Sequence, residues 1–457
     1  PGVPDKDGFW SNVGNDTEKT DDVWHAAYNS AGVYASASTP TEVSEKLINA
    51  ISAIASRVGS AAAVALNSGT LNANSRLYQA RFNSNGWSGN LFSVPIQDGP
   101  VDRDNDGNDD SPSECDAYPE VGALCDVEWN AAYELAQQGY ASRTIYTMET
   151  DTYTSVAFES LNDLGVEQRT ALRTHPDTLV LEDADAGQDR LDYLRGDHSL
   201  ESDQSGGRFR VRNTVADFDG NSLGIKSAMG DIIHSSPAYV GAPDFSYPDG
   251  LETDKYSTFK YNNRNRDPVT YVGANDGMLH VFDALTGEEK FAYVPGALIK
   301  RLNLLTSLNY NSGHTYFVDG SPQVFDAYDS GWKTMLASSV GAGGQIVFGM
   351  DVTDPDAIAS STIWEFTDNP RVVGTNTFGD ADLGFTIGDV SYAKMNNGQW
   401  VVIFGNGYNN THPDDHVSTT GNGVIYVVNA FTGALIRKFD TGVGMAEDPT
   451  GGNRPNG

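Results

Sequence analysis

No apolar stretch in this 457-residue sequence approaches the ~18–20 residues that a helix needs to cross a bilayer. The chain opens Pro1-Gly2-Val3-Pro4, without the charged-then-apolar pattern of a secretion leader. That end reads as processed or excised, and the closing MAEDPTGGNRPNG reads as a loop, as in a fragment of a longer protein. Basic residues are scarce: 29 Lys and Arg stand against 62 Asp and Glu, for a formal charge of −33. A surface of that sign argues against neutralising nucleic-acid phosphates or docking on anionic lipid. It suits a solvated surface in salty or cation-rich surroundings. There are only two cysteines, Cys115 and Cys125, in one loop. With no CxxC and too few ligands for zinc, the expectation is a local disulfide formed in an oxidising compartment. No GxxxxGK[ST] phosphate loop is present, and no Ser/His/Asp or Cys/His set is suggested by context.

Glycine, by contrast, is plentiful at 48 residues, and with Tyr, Thr, Val and Asn it favours turn-rich β structure. The organising stretch runs from Met229 to Gly287 and on to Val294. Short strands are expected at Ala238–Val240, Val269–Gly273, Leu279–Asp283 and Lys290–Val294. An Asn275-Asp276-Gly277 turn joins the second to the third, where Asn and Gly tolerate positive φ. Four strands in series describe one blade of a β-propeller. A second copy runs through Ser321–Phe325, Trp332–Leu336, Ile346–Asp351 and Ile363–Phe366. A third starts at Ile387–Val390 and continues through Trp400–Phe404, Val424–Asn429 and Leu435–Phe439. LHVFDALTG (279–287) echoes IYVVNAFTG (425–433), with MDVTDP (350–355) as a looser middle copy. Self-similarity at such a period signals repeated sheets, each burying a face on the next. The fold expected is mainly β: an irregular, quinoprotein-like propeller with insertions.

Residues 1–65 are expected as a helical segment. Thr39-Pro40-Thr41-Glu42 carries start signals, and Val43, Leu47, Ile48, Ile51 and Ile54 recur on one helix face. Gly59–Ala63 reads as a link onward. Residues 66–457 then form the partial propeller. A first candidate blade pairs Arg76–Phe82 with Trp87–Pro95 and is completed by Arg143–Met148 and Ser155–Phe158, after an insertion at about 97–140. A helical, charged insertion follows at about 159–205.

The sharpest motif is Asp102-Arg103-Asp104-Asn105-Asp106-Gly107-Asn108-Asp109-Asp110. Oxygen ligands at loop positions 1, 3 and 5, glycine at 6 and a carboxylate at 9 are what a compact Ca²⁺ loop requires. Asp102, Asp104, Asp106, Asn108 (through its backbone carbonyl) and Asp110 are the candidate ligands. Position 12 is Ser113 where an EF-hand has Glu; the competing reading is a solvated acidic loop. Arg195-Gly196-Asp197 matches the integrin-recognition tripeptide and equally fits a helix end terminated by glycine. His412, Asp414, Asp415 and His416 lie in a loop open to a metal, a glycan or solvent alone.

Together these residues resemble the type IV pilus tip-associated adhesins of the PilC/PilY type. The likeness is carried by Trp24-His-Ala-Ala with Asn29-Ser30, Arg76 to Leu91, Tyr193-Leu-Arg-Gly-Asp197, GDIIHSSPAYVG, GANDGMLHVFDALTGEE, Asp351–Pro355 and Phe404-Gly-Asn-Gly407. The resemblance implies a secreted, non-enzymatic protein at the pilus tip, reached through the periplasm. It implies roles in pilus extension, surface attachment and twitching motility, calcium responsiveness, and minor pilins and host or abiotic surfaces as partners. It implies further that the N-terminal helical segment is the end of a von Willebrand factor A-like domain, though the metal-binding DxSxS of that domain is absent. The family's calcium loop lies elsewhere, so the loop at 102–110 stands on its own spacing. The rival readings are a quinoprotein-type dehydrogenase, against which stand the missing Cys-Cys pair and haem motif, and a purely structural surface propeller.

Overall fold

A computed structural model of the chain describes residues 59–66, 75–96, 124–358, 362–412 and 416–447. The helix expected near Thr39 lies outside them, as do the acidic loop 102–110, Cys115, Asp414 and Asp415. The von Willebrand-type remnant is therefore not shown.

The described chain is mainly β, with short helices between sheets. The first sheet orders β1 (Gly59–Leu66), β2 (Arg76–Asn83), β3 (Ser88–Pro95) and β4 (Trp129–Asn130) side by side. Gly59–Ala63, expected as a link, is the start of an edge strand. Helix α1 (Ala131–Gln138) follows, capped by the Asn130 side chain accepting from Tyr133 N at 3.0 Å. Strands β5 (Ile145–Glu149) and β6 (Thr154–Ala157) form a hairpin. Helices α2 (Val166–Arg173) and α3 (Ala184–Arg195) make up the helical insertion. Then come a small hairpin of β7 (Thr214–Ala216) and β8 (Ser222–Lys226), strand β9 (Ala238–Val240) and helix α4 (Tyr256–Asn262).

The organising stretch gives β9, β10 (Val269–Ala274), β11 (Met278–Asp283) and β12 (Glu289–Val294), an antiparallel meander in chain order. The β10–β11 loop differs from the expected turn. Ala274 pairs with Met278 across three residues, and of these only Gly277 takes positive φ, at +96°. Asn275 is buried, its amide donating to Asp231 and its carbonyl accepting from Phe317 N; its polarity serves packing rather than turn conformation. The β5–β6 hairpin does not complete the first blade. It pairs β5 in parallel with β12, extending the second sheet to six strands, with Thr147 Oγ1 donating to Val294 O at 2.8 Å. The first sheet instead closes on Trp129–Asn130, and β5 covers the edge that β12 would otherwise leave unpaired.

After α5 (Ile299–Leu302), the third sheet is β13 (Gln323–Tyr328), β14 (Trp332–Ser339), β15 (Ile346–Asp351) and β16 (Ile363–Thr367). A hairpin of β17 (Arg371–Val373) and β18 (Asn376–Phe378) leads to the fourth: β19 (Ser391–Lys394), β20 (Trp400–Gly405), β21 (Val424–Asn429) and β22 (Leu435–Asp440). The fourth sheet starts at Ser391 rather than Ile387, because Thr386 just upstream is tied to the third sheet, its hydroxyl donating to Ile346 O. Among the described residues no sheet closes on itself.

The echoing segments build the same turn atom for atom. Asp283 Oδ1 accepts from Leu285 N and Thr286 N; Asn429 Oδ1 accepts from Phe431 N and Thr432 N. Gly287 and Gly433 end the turns at φ +75° and +71°, and both following strands carry a register shift in the same place. Each turn receives a tryptophan from the outer strand of the preceding sheet. Trp129 Nε1 donates to Ala284 O at 3.2 Å, and Trp364 Nε1 donates to Ala430 O at 3.1 Å. The indoles lie so close to the turn glycines that a Cβ would come within 2.7 Å at Gly287 and 2.5 Å at Gly433. Apolar clusters fill the spaces between the sheets: one between the first and second, one from the second to the third and over the helical insertion, and one between the third and fourth with α4.

Candidate functional site

The helical insertion packs on the core between the second and third sheets, with Leu164, Leu172, Leu191 and Leu194 buried there. Its base is anchored by Gln168, whose Nε2 donates to Met148 O at 2.8 Å and Gly296 O at 2.9 Å. Helix α3 starts on Asp183, which accepts from Ala186 N, and approaches Arg173 and Leu161 at Gly187, where a Cβ would meet both side chains within 3 Å. It ends on Gly196 at φ +118°, with Asp197 N reaching back to Asp192 O at 2.9 Å.

That end is the Arg195-Gly196-Asp197 tripeptide. Arg195 is 4% exposed, its guanidinium donating to the carbonyls of Phe158, Tyr140 and Arg143. Asp197 accepts from Ser199 N and Oγ. The arginine thus holds β5 and α3 together, and only the aspartate side reaches solvent. In the loop between α2 and α3, Leu179, Val180 and Leu181 are exposed in sequence, Leu179 at 75% and at φ +57°. The His175 ring accepts from Asp177 N and Thr178 N and fixes this loop. A leucine held at positive φ with its side chain in water is an outlier that packing does not explain.

Beneath the insertion lies a chain of buried charges. Arg143 is paired with Glu289 at 2.6 Å, Glu289 with His280 at 2.8 Å, and His280 with Asp276 at 3.0 Å. Burial alone would push the His280 imidazolium down, but Asp276 and Glu289 outweigh it and lift the group to about 9. Burial likewise works against the Glu289 carboxylate, and Arg143 and His280 overcome it, holding it at about 2. The pair His280 and Glu289 is therefore held as imidazolium and carboxylate at neutral pH. With His280 fully buried, the arrangement binds β10–β12 to β5 and offers no proton to a substrate.

The acidic loop Asp102–Asp110 falls outside the described residues. Cys125 is buried beside β3, its N donating to Pro95 O at 3.0 Å, and its expected partner Cys115 is likewise outside. His412 packs edge-on against Phe385 at 5.3 Å. Gly220-Asn221-Ser222-Leu223-Gly224 spells the GxSxG of a nucleophile elbow, which the sequence reading passed over. It forms the β7–β8 hairpin rather than a strand-to-helix turn, and Ser222 Oγ meets Thr214 Oγ1 at 2.6 Å instead of a base. Among the described residues no group of three or more His, Cys, Asp or Glu is placed to hold a metal, and no helix is long and apolar enough to cross a membrane.

The family model described as the PilY1 beta-propeller domain matches residues 229–456. A type IV pilus biogenesis factor PilY1 of Pseudomonas aeruginosa is 32% identical over 446 residues, covering 94% of this chain and 33% of that protein. A homologue of the same factor in Xylella fastidiosa is 32% identical over 400 residues, 85% of this chain and 26% of that protein. The crystal structure of the Pseudomonas aeruginosa PilY1 C-terminal domain matches at 34% identity and a TM-score of 0.35, over 45% of this chain and 38% of that one. The chain spans about a third or less of the length of these relatives. With that identity sustained over nearly all of its residues, the chain belongs to the PilY1 family of type IV pilus biogenesis factors.

Proposed function

We propose that this chain is the sheet-built scaffold of a non-enzymatic surface factor that supports type IV pilus extension, surface attachment and twitching motility. The observation that carries the reading is 32% identity to pilus biogenesis factors across 94% of the chain. The sheets serve as a rigid support and the insertions as contact surfaces. The protein acts outside the cell at the pilus tip, having passed through the periplasm, with minor pilins on one side and a host or abiotic surface on the other. The exposed Leu179-Val180-Leu181 run in the α2–α3 loop supports a contact role for the helical insertion. Ca²⁺ held by Asp102, Asp104, Asp106, Asn108 and Asp110, with a Cys115–Cys125 disulfide, orders the preceding insertion and makes the factor calcium-responsive.

Electron microscopy of native cells labelled with an antibody raised to residues 230–440 tests the location. Label at filament tips supports the proposal, whereas label spread over the envelope away from pili overturns it. For the calcium component, titration calorimetry should show heat that disappears in an Asp104→Asn/Asp106→Asn variant; no such heat in the parent chain removes calcium from the account.

A further inference from the structure

The loop between α2 and α3 keeps three successive apolar side chains in water: Leu179, Val180 and Leu181 are 75%, 58% and 54% exposed. The loop itself is well tied. Leu179 N donates to His175 O and His175 N to Val180 O, both at 2.9 Å, and Glu182 N donates to Arg173 O at 2.8 Å. Its stem is fastened to the segment after α5, where Asn303 Nδ2 donates to Thr174 O at 2.9 Å and Ser307 Oγ to Asp177 Oδ1 at 2.6 Å. Leu179 is held in this frame at φ +57°, a strained conformation for a residue with a Cβ. Glycine would take that backbone without strain, and a leucine there with its side chain in water does nothing for the fold that glycine could not.

The surroundings carry one sign of charge. Between Arg173 and Arg190 the sequence holds five carboxylates and no Lys or Arg. Asp177, Asp183 and Asp185 flank the apolar run in sequence and are exposed. Both arginines turn to the fold: Arg190 is buried against Leu172 O and Glu182, and Arg173 Nε donates to Glu182 O at 3.0 Å. The loop therefore presents an apolar centre with an acidic rim.

We infer that this loop is the docking point for a protein partner whose surface offers an apolar groove edged by Lys or Arg. The inference rests on the contact role proposed above for the helical insertion and specifies its chemistry. An apolar centre within a polar rim is the anatomy of a protein interface, and a loop fixed beforehand loses little freedom on binding. Charge selects among the occupants. A second copy of this chain brings the same five carboxylates and a formal charge of −33, and an anionic lipid surface brings phosphates. The rim repels both and attracts a basic-edged groove.

The test uses the full-length protein on its native cells, with the photocrosslinker p-benzoylphenylalanine in place of Thr178, an exposed loop residue. Irradiation should give one protein adduct, which mass spectrometry should map to apolar residues of the partner beside Lys or Arg. Adding Leu179→Gly should cut the adduct several-fold and leave the Tm of the purified protein nearly unchanged, since glycine suits the positive φ. Adding Asp185→Lys should cut it by about tenfold, because like charges then face one another. The photocrosslinker in place of Val372, exposed on β17, should not give this adduct. The inference is overturned by no adduct, by adducts to lipid or a second copy alone, by attachment at an acidic surface, or by yields indifferent to both substitutions. Antibody label at filament tips without an adduct at position 178 overturns the docking loop and spares the pilus-tip reading. The predicted adduct on protein absent from filament tips supports the loop and overturns that reading instead.

Discussion

Two kinds of junction hold successive sheets together, and they differ in what carries them. Between the first and second sheets, and again between the third and fourth, an indole from the outer strand lies on a turn glycine and donates to an alanine carbonyl. Between the second and third the tryptophan is missing, and so is the glycine in Asp351–Pro355. There the contact is polar. Glu365 on β16 accepts from Tyr293 Oη and Gly296 N, both at 2.6 Å, and Lys290 reaches Asp356 at 2.8 Å. An indole stacked on a glycine buries a large apolar face at one point. The middle junction spreads its hold over a buried carboxylate and a surface ion pair, and the helical insertion packs over the second sheet's core beside it. The irregular copy of the repeat is thus the one whose neighbourhood carries the added hairpin and helices, where a strict sheet-to-sheet clamp gives way to inserted structure.

The largest expected effect falls on the clamps. Trp129→Ala and Trp364→Ala should each lower unfolding free energy by about 3–5 kcal/mol, the range for emptying a buried aromatic site, measured by urea denaturation. A loss below about 1 kcal/mol at both would erase the distinction between junctions. Next comes Gly433→Ala, which places a Cβ 2.5 Å from the Trp364 ring and on a positive-φ backbone; a loss of about 1–3 kcal/mol is expected. Because the strain acts through the indole, Trp364→Ala combined with Gly433→Ala should lose less than the sum of the two.

The polar junction should respond to pH where the clamps do not. Burial pushes the Glu365 carboxyl up, against the opposing hydrogen bonds from Tyr293 and Gly296. The folded state therefore holds this proton more tightly than the unfolded state. Its contribution is fully present below the ordinary carboxylate range and is lost as pH rises above it. Glu365→Gln should remove that part of the Tm decline, while Trp364→Ala keeps its slope; an unchanged slope in Glu365→Gln would assign the pH dependence elsewhere. The smallest effect belongs to Lys290→Ala. This surface pair with Asp356 should contribute less than about 1 kcal/mol and fade further in salt. A larger, salt-insensitive loss would promote it to a true clamp.

Much of this scaffold is legible in the chain itself. Alternation and turn residues place the last three sheets, and the echo of LHVFDALTG in IYVVNAFTG marks the two turns that receive an indole. The indoles are less visible, because Trp129 and Trp364 meet carbonyls 155 and 66 residues away. No local period encodes that distance. The placement of β5 is hidden for the same reason, since parallel pairing with β12 leaves no hairpin signal. Nothing local in the sequence marks Arg143, Arg195, Arg210 and Arg212 for burial. Their burial follows from carbonyls and rings brought in by other segments, which also explains how Arg195-Gly196-Asp197 can match a recognition tripeptide while its arginine is enclosed. The acidic loop at 102–110 was legible as a motif through its spacing alone and lies outside the described residues.

We propose that this clamped scaffold serves pilus biogenesis. That proposal is tested most directly by counting surface pili on cells lacking the gene and complemented with the full-length protein carrying no substitution, Trp364→Ala or Lys290→Ala. The account predicts few pili without the gene, restoration by the unsubstituted and Lys290→Ala proteins, and failure with Trp364→Ala. Normal piliation in the absence of the gene, or with Trp364→Ala at a demonstrably reduced stability, would contradict it.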